Sequence, residues 1–426
     1  MSASSQQAIL SKADISDIVG ASLRDYPEAR RVLVLTTDYS RKDFTGEVFS
    51  AVCSYLAGRQ GLKIHVLNTA GTHRKMKNGE WAAKLGGDRD VYPFLVGKRF
   101  QHLFDRDAHL IEIGELSGEF LAQKTAGYIK APLPVTINRR IANSYDLVLA
   151  INGTVPHEGT GFSGGTKILF PGIAGKGVIG AFHWAAVLIG IPKIIGTFDN
   201  PARDIVDKAA GMVFDYVPNT PIVSLNMVYT EGASSKVEPR GLFGGVGSAG
   251  FRRALRSAAS LSEELHIVRL PKAQQTIVQQ IPARYDEWWT AMKGSYKLQR
   301  LGVVAEGGEV ILYAPHIHCF HSNAIMDKAI RQIGYHGREY VIKYLKKNPT
   351  FDKNVASHVI NARGVGSLNG RQEQFPFRLT LASQIDAKTC EAMGLGYLDP
   401  KLVYRSEYES EGALWIEHGG QDLYSR

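Results

Sequence analysis

The chain has 426 residues, more than one ordinary hydrophobic core holds, so two domains are expected. Its hydrophobic content of 44% is that of a globular protein, no uncharged apolar run reaches the roughly eighteen residues of a membrane span, and MSASSQQAILSKADISD lacks the basic start and apolar core of a signal peptide; a cytoplasmic protein that crosses no membrane is predicted. The net charge of +9 is spread along the chain, with only short basic pairs at Arg252-Arg253 and Lys346-Lys347, which fits a small anionic ligand and not nucleic acid.

Apolar runs of strand length alternate with amphipathic helical stretches. Arg31 to Thr36 (RVLVLT), Lys63 to Leu67 (KIHVL), Leu147 to Ile151 (LVLAI) and Lys193 to Gly196 (KIIG) read as buried strands, with helices over Phe44 to Leu56 and Pro201 to Val213 between them. Such alternation predicts an α/β protein with a largely parallel sheet. Ile222 to Tyr229 is a further strand, followed by a charged loop, EGASSKVEPRGLFG. The polar, Gln-rich stretch PKAQQTIVQQIP (Pro271 to Pro282) marks a boundary: residues 1–272 form an N-terminal cofactor-binding α/β domain and 273–426 a C-terminal α/β domain, with the active site expected in the cleft between them. In the second part, helices are predicted over Tyr285 to Leu301, Ser322 to Ile333, Arg338 to Lys346 and Phe351 to Ile360, with a strand at Glu309 to Tyr313. Cys53, Cys319 and Cys390 are scattered and odd in number, so neither a disulfide framework nor a Cys-rich zinc site is expected.

Several short motifs nearly fit known chemistry. Gly161-Phe-Ser163-Gly-Gly165 satisfies the G-x-S-x-G pattern, but a nucleophile elbow needs a strand immediately before it, and GTVPHEGT intervenes. The same stretch resembles a phosphate loop, yet Thr166 precedes Lys167 where glycine should stand, and Ile168 replaces the magnesium-binding hydroxyl. Gly245-Val-Gly247-Ser-Ala-Gly250 is a literal G-x-G-x-x-G leading into a helix; no strand is expected directly before it, and no acidic residue stands near His266 to Arg269 to take a ribose. His316-Ile-His318-Cys-Phe-His321 could hold zinc, with His316 and His318 on one face of an extended chain, but no carboxylate nearby completes the set.

A wider constellation fits better. His157 and Lys167 stand ten positions apart around a glycine-rich segment, and His183 follows the turn FPGIAGKG. Gly71-Thr-His73-Arg follows one predicted strand and Asp38-Tyr-Ser-Arg41 follows the first, so each polar element lies just past a strand's carboxyl end, where open α/β sheets bind ligands.

With His157-Glu-Gly-Thr-Gly-Phe-Ser-Gly-Gly-Thr-Lys167-Ile-Leu-Phe-Pro-Gly-Ile, the preceding VTINRRIANSYDLVLAING, the GTH element, Asp38-x-x-Arg41 and FDNPARD in order, the sequence resembles the lactate racemase family, the racemases and epimerases of hydroxy acids that depend on a nickel-pincer nucleotide. The resemblance implies that Lys167 carries the cofactor, a pyridinium-3-thioamide-5-thiocarboxylic acid mononucleotide, through a covalent thioamide link. Asp38, Ser163, Gly164 and Gly165 would lie against it, and His183 would be the one protein ligand to Ni(II) beside the pincer's own sulfur and carbon donors. His73 and His157 would be an acid-base pair on opposite faces of the substrate, while Arg41 and Lys293 would hold its carboxylate. Cofactor-synthesis enzymes are then implied as suppliers of the pincer.

The chain departs from the lactate enzymes at Thr290, where they have glutamine, in an expanded segment that includes VYPFLVGKRFQHLFDRDAH, and in the HIHCFH run. A roomier, more polar pocket suits a longer hydroxy acid, such as a sugar acid, better than lactate. Competing readings are a nicotinamide-dependent oxidoreductase using Gly245 to Gly250, a zinc-dependent hydrolase at His316 to His321, and a binding protein that kept the fold without the chemistry.

Overall fold

The computed structural model describes residues 8–71, 73–87, 99–232, 236–364, 366–370 and 372–426. Thr72 and residues 91–98 of the expanded segment expected from Val91 onward lie outside them. The chain divides into two compact units: Met1–Phe182 with Phe198–Leu265, and His183–Thr197 with His266–Arg426. Among the described residues, no helix is long and apolar enough to cross a membrane.

The first unit runs α1 (Lys12–Leu23), β1 (Arg31–Thr36), α2 (Thr45–Leu56), β2 (Lys63–Asn68), α3 (Asn78–Leu85), β3 (Arg99–Phe100), β4 (Leu110–Leu116), α4 (Gly118–Lys124), β5 (Leu133–Asn138), β6 (Leu147–Gly153), β7 (Pro156–His157), β8 (Gly161–Phe162), the first half of α5 (Lys176–Ile189), α6 (Pro201–Tyr216), β9 (Ile222–Glu231), β10 (Val237–Val246) and nearly all of α7 (Gly247–His266). Six strands form one sheet in the order β10-β9-β6-β1-β2-β3, all parallel except the edge strand β10. Val32 to Leu35 are fully buried on both faces, as a parallel strand covered on each side requires. Val32, Val34, Leu147, Leu149 and Val223 pack with Ile15, Val19, Val48 and Phe49 of α1 and α2. Ser11 and Asp14 form a capping box that starts α1.

The second unit begins with the end of α5 and continues through β11 (Ile267–Arg269), β12 (Gln274–Gln280), α8 (Trp288–Ala291), α9 (Lys293–Tyr296), β13 (Val304–Ala314), α10 (Ala324–Ile333), α11 (Arg338–Lys347), α12 (Lys353–Arg363), β14 (Ser367–Asn369), β15 (Gln372–Gln374), β16 (Phe377–Ser383), α13 (Ala387–Ala392), β17 (Gly396–Leu398), α14 (Arg405–Ser410), β18 (Leu414–Ile416) and β19 (Leu423–Ser425). Its main sheet has the order β17-β16-β13-β12-β18 with every pairing parallel. The α/β expectation therefore holds.

Three local expectations fail. KIIG is no strand: Gly190 at φ 98°, Pro192 and Gly196 at φ 66° bend the chain into a short 3-10 turn at Ile191–Lys193, with Ile194 and Ile195 buried in the bend. A short apolar run reads alike as strand or as buried turn. The helix expected from 285 to 301 is two single turns, interrupted at Met292 (φ −62°, ψ −7°). The charged loop after β9 contains β10, whose polar residues sit on an exposed edge, with Pro239 at the irregularity in register.

Candidate active site

Strand order fixes where ligands can bind in the first unit. From β1 the chain moves outward through β2 to β3, then returns to the other side of β1 for β6 and β9, so the sheet has its switch point between β1 and β6. Loops leaving the carboxyl ends on either side of that point diverge and open a crevice. Asp38 and Arg41 follow β1, His73 follows β2, and His157 and Lys167 follow β6.

His73 is held by Asp38. Its Nδ1 lies 2.5 Å from Asp38 Oδ2, and the Ser40 hydroxyl (2.6 Å) and backbone N–H (3.0 Å) both donate to Asp38 Oδ1. Burial opposes ionisation of Asp38, whose side chain is 3% exposed, but the hydrogen bonds and charge of His73, with the Ser40 bonds, outweigh it and hold the carboxyl at about 2. An ionised carboxylate can only accept, so His73 carries a proton on Nδ1, and the neutral ring is basic at Nε2. Beside this pair, Tyr39 takes the Arg74 guanidinium on its face at 3.8 Å, and Arg74 is itself clamped by Glu80 (2.6 and 2.9 Å).

His157 has the opposite tautomer. It stands on the short hairpin formed by β7 and β8, and its Nδ1 accepts the Gly159 backbone N–H at 3.0 Å, with Glu158 Oε2 3.9 Å away. The neutral ring therefore keeps its proton on Nε2. The two imidazoles are thus held in different tautomers.

Lys167 is carried by the glycine-rich segment, whose shape is fixed from several directions. The Gly165 N–H donates to both Asn152 (2.9 Å), at the carboxyl end of β6, and its register partner Asn226 (2.7 Å), in the middle of β9. The Ser163 hydroxyl donates to the Gly153 carbonyl (2.8 Å) and accepts the Val155 N–H (3.0 Å), which ties the turn and leaves no trace of a nucleophile elbow. The buried Arg203 guanidinium donates to the Phe162 carbonyl and reaches Thr166 Oγ1 at 3.4 Å. Gly164 and Gly165 have φ of 88° and 57°. A Cβ at Gly164 would come 2.5 Å from Thr154 Oγ1, and one at Gly165 would meet Leu255 at 2.7 Å, so only glycine fits. The Gly71 N–H donates to the Gly172 carbonyl (3.1 Å), and Gly172 N–H to the Lys167 carbonyl (3.1 Å), which stitches the His73 loop to the Lys167 segment.

Among the described residues, the Lys167 ammonium makes no hydrogen bond. Burial, then the nearby Arg41 and Arg203 charges, lower its pKa from 10.5 to about 8, against a smaller pull from Glu158 and Asp38. At that value about one amine in eleven is neutral at pH 7, against about one in three thousand for an ordinary lysine. Such an amine is a nucleophile near neutral pH.

The residues expected in the second unit have clear local surroundings. Thr290 Oγ1 donates to the Glu287 carbonyl (3.1 Å), and Lys293 Nζ sits 5.5 Å from the Tyr285 ring centre. His183 is half-buried in α5. His316 bonds the Tyr285 carbonyl through Nε2 (2.9 Å), His321 Nδ1 accepts the Asn323 N–H (2.9 Å), and His318 is exposed. No group of three or more His, Cys, Asp or Glu side chains gathers to hold a metal among the described residues. The G-x-G-x-x-G motif does follow a strand directly, β10, but that strand is antiparallel: Val246 pairs with Val223, at the amino end of β9, so the motif lies at the sheet edge opposite the crevice. Gly245 and Gly250 pack on each other, since a Cβ on Gly245 would meet the Gly250 carbonyl at 2.1 Å. This turn closes on itself instead of cradling a pyrophosphate.

The implied pincer cofactor fits the residues present in three respects. Lys167 supplies a depressed amine for covalent attachment. The buried hydroxyls of Thr36 and Thr154, at the carboxyl ends of β1 and β6, have no partner within the described protein, as expected beside a polar ligand. Soft sulfur donors brought by the cofactor, with one imidazole from the chain, would suit Ni(II).

The fold defines an α/β protein with two histidines, an arginine and a lysine on loops past the carboxyl ends of its parallel strands. The chain belongs to the lactate racemase family: residues 3–190 match the lactate racemase N-terminal domain. A Thermotoga maritima protein solved by the Northeast Structural Genomics Consortium is 45% identical, covering 98% of each chain, with a TM-score of 0.87. The lactate racemase apoprotein of Thermoanaerobacterium thermosaccharolyticum has the same fold, with a TM-score of 0.71 at 18% identity over 99% of this chain and 95% of that one. No curated protein sequence matches the chain.

Asp38, expected beside the nucleotide, has its carboxylate bonded to His73 and Ser40. Sequence reasoning missed Asn152 and Asn226. Their signal was a buried asparagine within each of two apolar strands, legible only once the strands are known to be neighbours.

Proposed function

We propose that the chain is a nickel-pincer-nucleotide-dependent racemase or 2-epimerase of a 2-hydroxy acid, working in the cytoplasm with cofactor supplied by separate synthesis enzymes. The observation that carries this reading is the presence, past the carboxyl ends of the neighbouring strands β2, β1 and β6, of the Asp38-held His73 and a lysine of lowered pKa. Lys167 would hold the cofactor by its covalent link, Ser163, Gly164 and Gly165 would border it, and His183 would ligate the nickel. When bound, the cofactor would supply reversible hydride acceptance from the substrate α-carbon.

The chain's own residues do the remaining work. His73 and His157 take up and return the hydroxyl proton on the two faces of the substrate as the carbon centre is oxidised and reduced, the histidine that returns it acting as the imidazolium; the opposite configuration uses the reverse order. Arg41 offers a bidentate fork to the carboxylate, and Lys293 a second positive charge. Thr290, smaller than a glutamine, leaves room for a longer substrate, and a polar hydroxy acid such as a sugar acid is proposed over lactate.

Intact-protein mass measurement after coexpression with the cofactor-making enzymes tests the reading. An adduct on Lys167 with one nickel is expected, with the metal lost but the adduct kept in His183→Ala. Assay of that loaded protein against lactate, malate, phenyllactate and gluconate then identifies the substrate; a clear preference for lactate overturns the larger-substrate reading.

A further inference from the structure

The segment from Thr37 to Phe44 carries Asp38, Ser40 and Arg41 but has no regular secondary structure. A buried ion pair outside the residues named above fixes it. Lys84, in the last turn of α3, places Nζ 2.8 Å from Asp43 Oδ1 and 2.8 Å from the Arg41 carbonyl, and the two side chains are 6% and 1% exposed. Asp43 also accepts the Thr37 hydroxyl (2.9 Å) and the Thr45 N–H (3.1 Å), so one carboxylate closes the loop at both ends. Lys84 reaches the loop because α2 and α3 touch at glycines: a Cβ on Gly46 would come 3.0 Å from Gly86 N. From the anchored Arg41 the order passes to the dyad, through Arg41 N–H to the Asp38 carbonyl (3.3 Å) and Ser40 N–H to the Asp38 carboxylate (3.0 Å).

A buried ion pair is a weak source of stability, since an apolar pair of similar size often does as well. What it provides in this loop is a single geometry. We propose that Lys84 and Asp43 are positioning residues for the acid-base machinery: they hold the loop so that Asp38 meets His73 Nδ1 and Arg41 faces the crevice. The proposal rests on the acid-base reading of His73 given above.

The full-length chain tests it with Lys84→Met and Thr37→Val, the latter keeping the ion pair and removing one hydroxyl hydrogen bond to the Asp43 carboxylate. The first readout needs no cofactor: the downfield proton resonance of the His73 imidazole N–H bonded to Asp38, assigned by its loss in His73→Gln. The second is kcat and KM of the loaded protein. Both variants are expected to lose or broaden that resonance and to lower kcat by about tenfold to a hundredfold, the scale of an ångström-sized misplacement, with the Lys167 adduct still formed. Folded variants with a wild-type resonance and wild-type kcat overturn the proposal. If Lys84→Met does not fold, Thr37→Val decides alone. A lost resonance in the variants of a protein that proves inactive as a racemase supports the brace while refuting the function.

Discussion

Replacing Lys167 by methionine should make the protein more stable at pH 7, because the wild-type fold holds an ammonium where burial and two arginines disfavour charge. The pKa falls from 10.5 to about 8 on folding. Below pH 8 the amine is charged in both states, so the whole penalty is present, at about 3 kcal/mol from a shift of this size. As pH rises from about 8 to 10.5, the folded protein releases its proton while the unfolded chain keeps it, and wild-type stability recovers. Methionine matches the lysine stem and has no charge, so Lys167→Met should gain roughly 3 kcal/mol at pH 7 and little above pH 10. Urea denaturation of both proteins at pH 7, 8.5 and 10 measures the difference as a shift in midpoint. Equal midpoints at pH 7, or a gap that does not close by pH 10, would refute the reasoning that a reactive amine is kept here at the expense of stability.

Asp38→Asn should remove the acceptor that fixes the His73 tautomer, lowering kcat by about a hundredfold or more while Lys167 can still be modified, as kinetics and mass measurement would reveal. Because the Asp38 carboxyl is held at about 2 in the fold, its contribution of about 2 kcal/mol is present above pH 4 and lost as pH falls through about 2; acid titration of stability should be flatter for Asp38→Asn. Gly164→Ala should destabilise the protein by at least 1–3 kcal/mol through backbone strain, roughly, with the clash against Thr154 added, and thermal melting would detect it. In the second unit, His358 is buried between the Tyr296 and Tyr335 hydroxyls (3.2 and 3.0 Å) and stacked on Trp289, and burial, then the charge of His321, lowers its pKa to about 3. Below about pH 6.5 the unfolded chain binds a proton that the fold refuses, so stability should fall toward pH 3, and His358→Gln should flatten that limb in a pH series of denaturation curves.

The first unit was largely legible in its strands. RVLVLT, KIHVL and LVLAI are continuous runs of branched apolar residues, and a strand buried on both faces needs nothing more to declare itself. The chemistry-bearing loops were legible for the same reason, since His73, His157 and Lys167 each follow such a strand. KIIG misled because so short a run carries no period, and Gly190 and Gly196 set a turn instead. The stretch after β9 misled because an edge strand tolerates charges that a central strand excludes. The helix predicted across 285 to 301 had the composition of one, but the backbone tightens at Met292, and a Cβ at Gly294 would stand 2.8 Å from Leu312 of β13.

By itself the sequence determined the class of fold, the family, and which side chains could do chemistry, because apolar periodicity and local motifs are properties of neighbouring residues. Tertiary structure alone decided how those side chains are set. Asp38 meets His73 across thirty-five positions, Asp43 meets Lys84 across forty-one, and Asn226 meets Gly165 across sixty-one. Strand register and helix packing create these pairings, and through them they choose the tautomer of an imidazole and the charge of an amine.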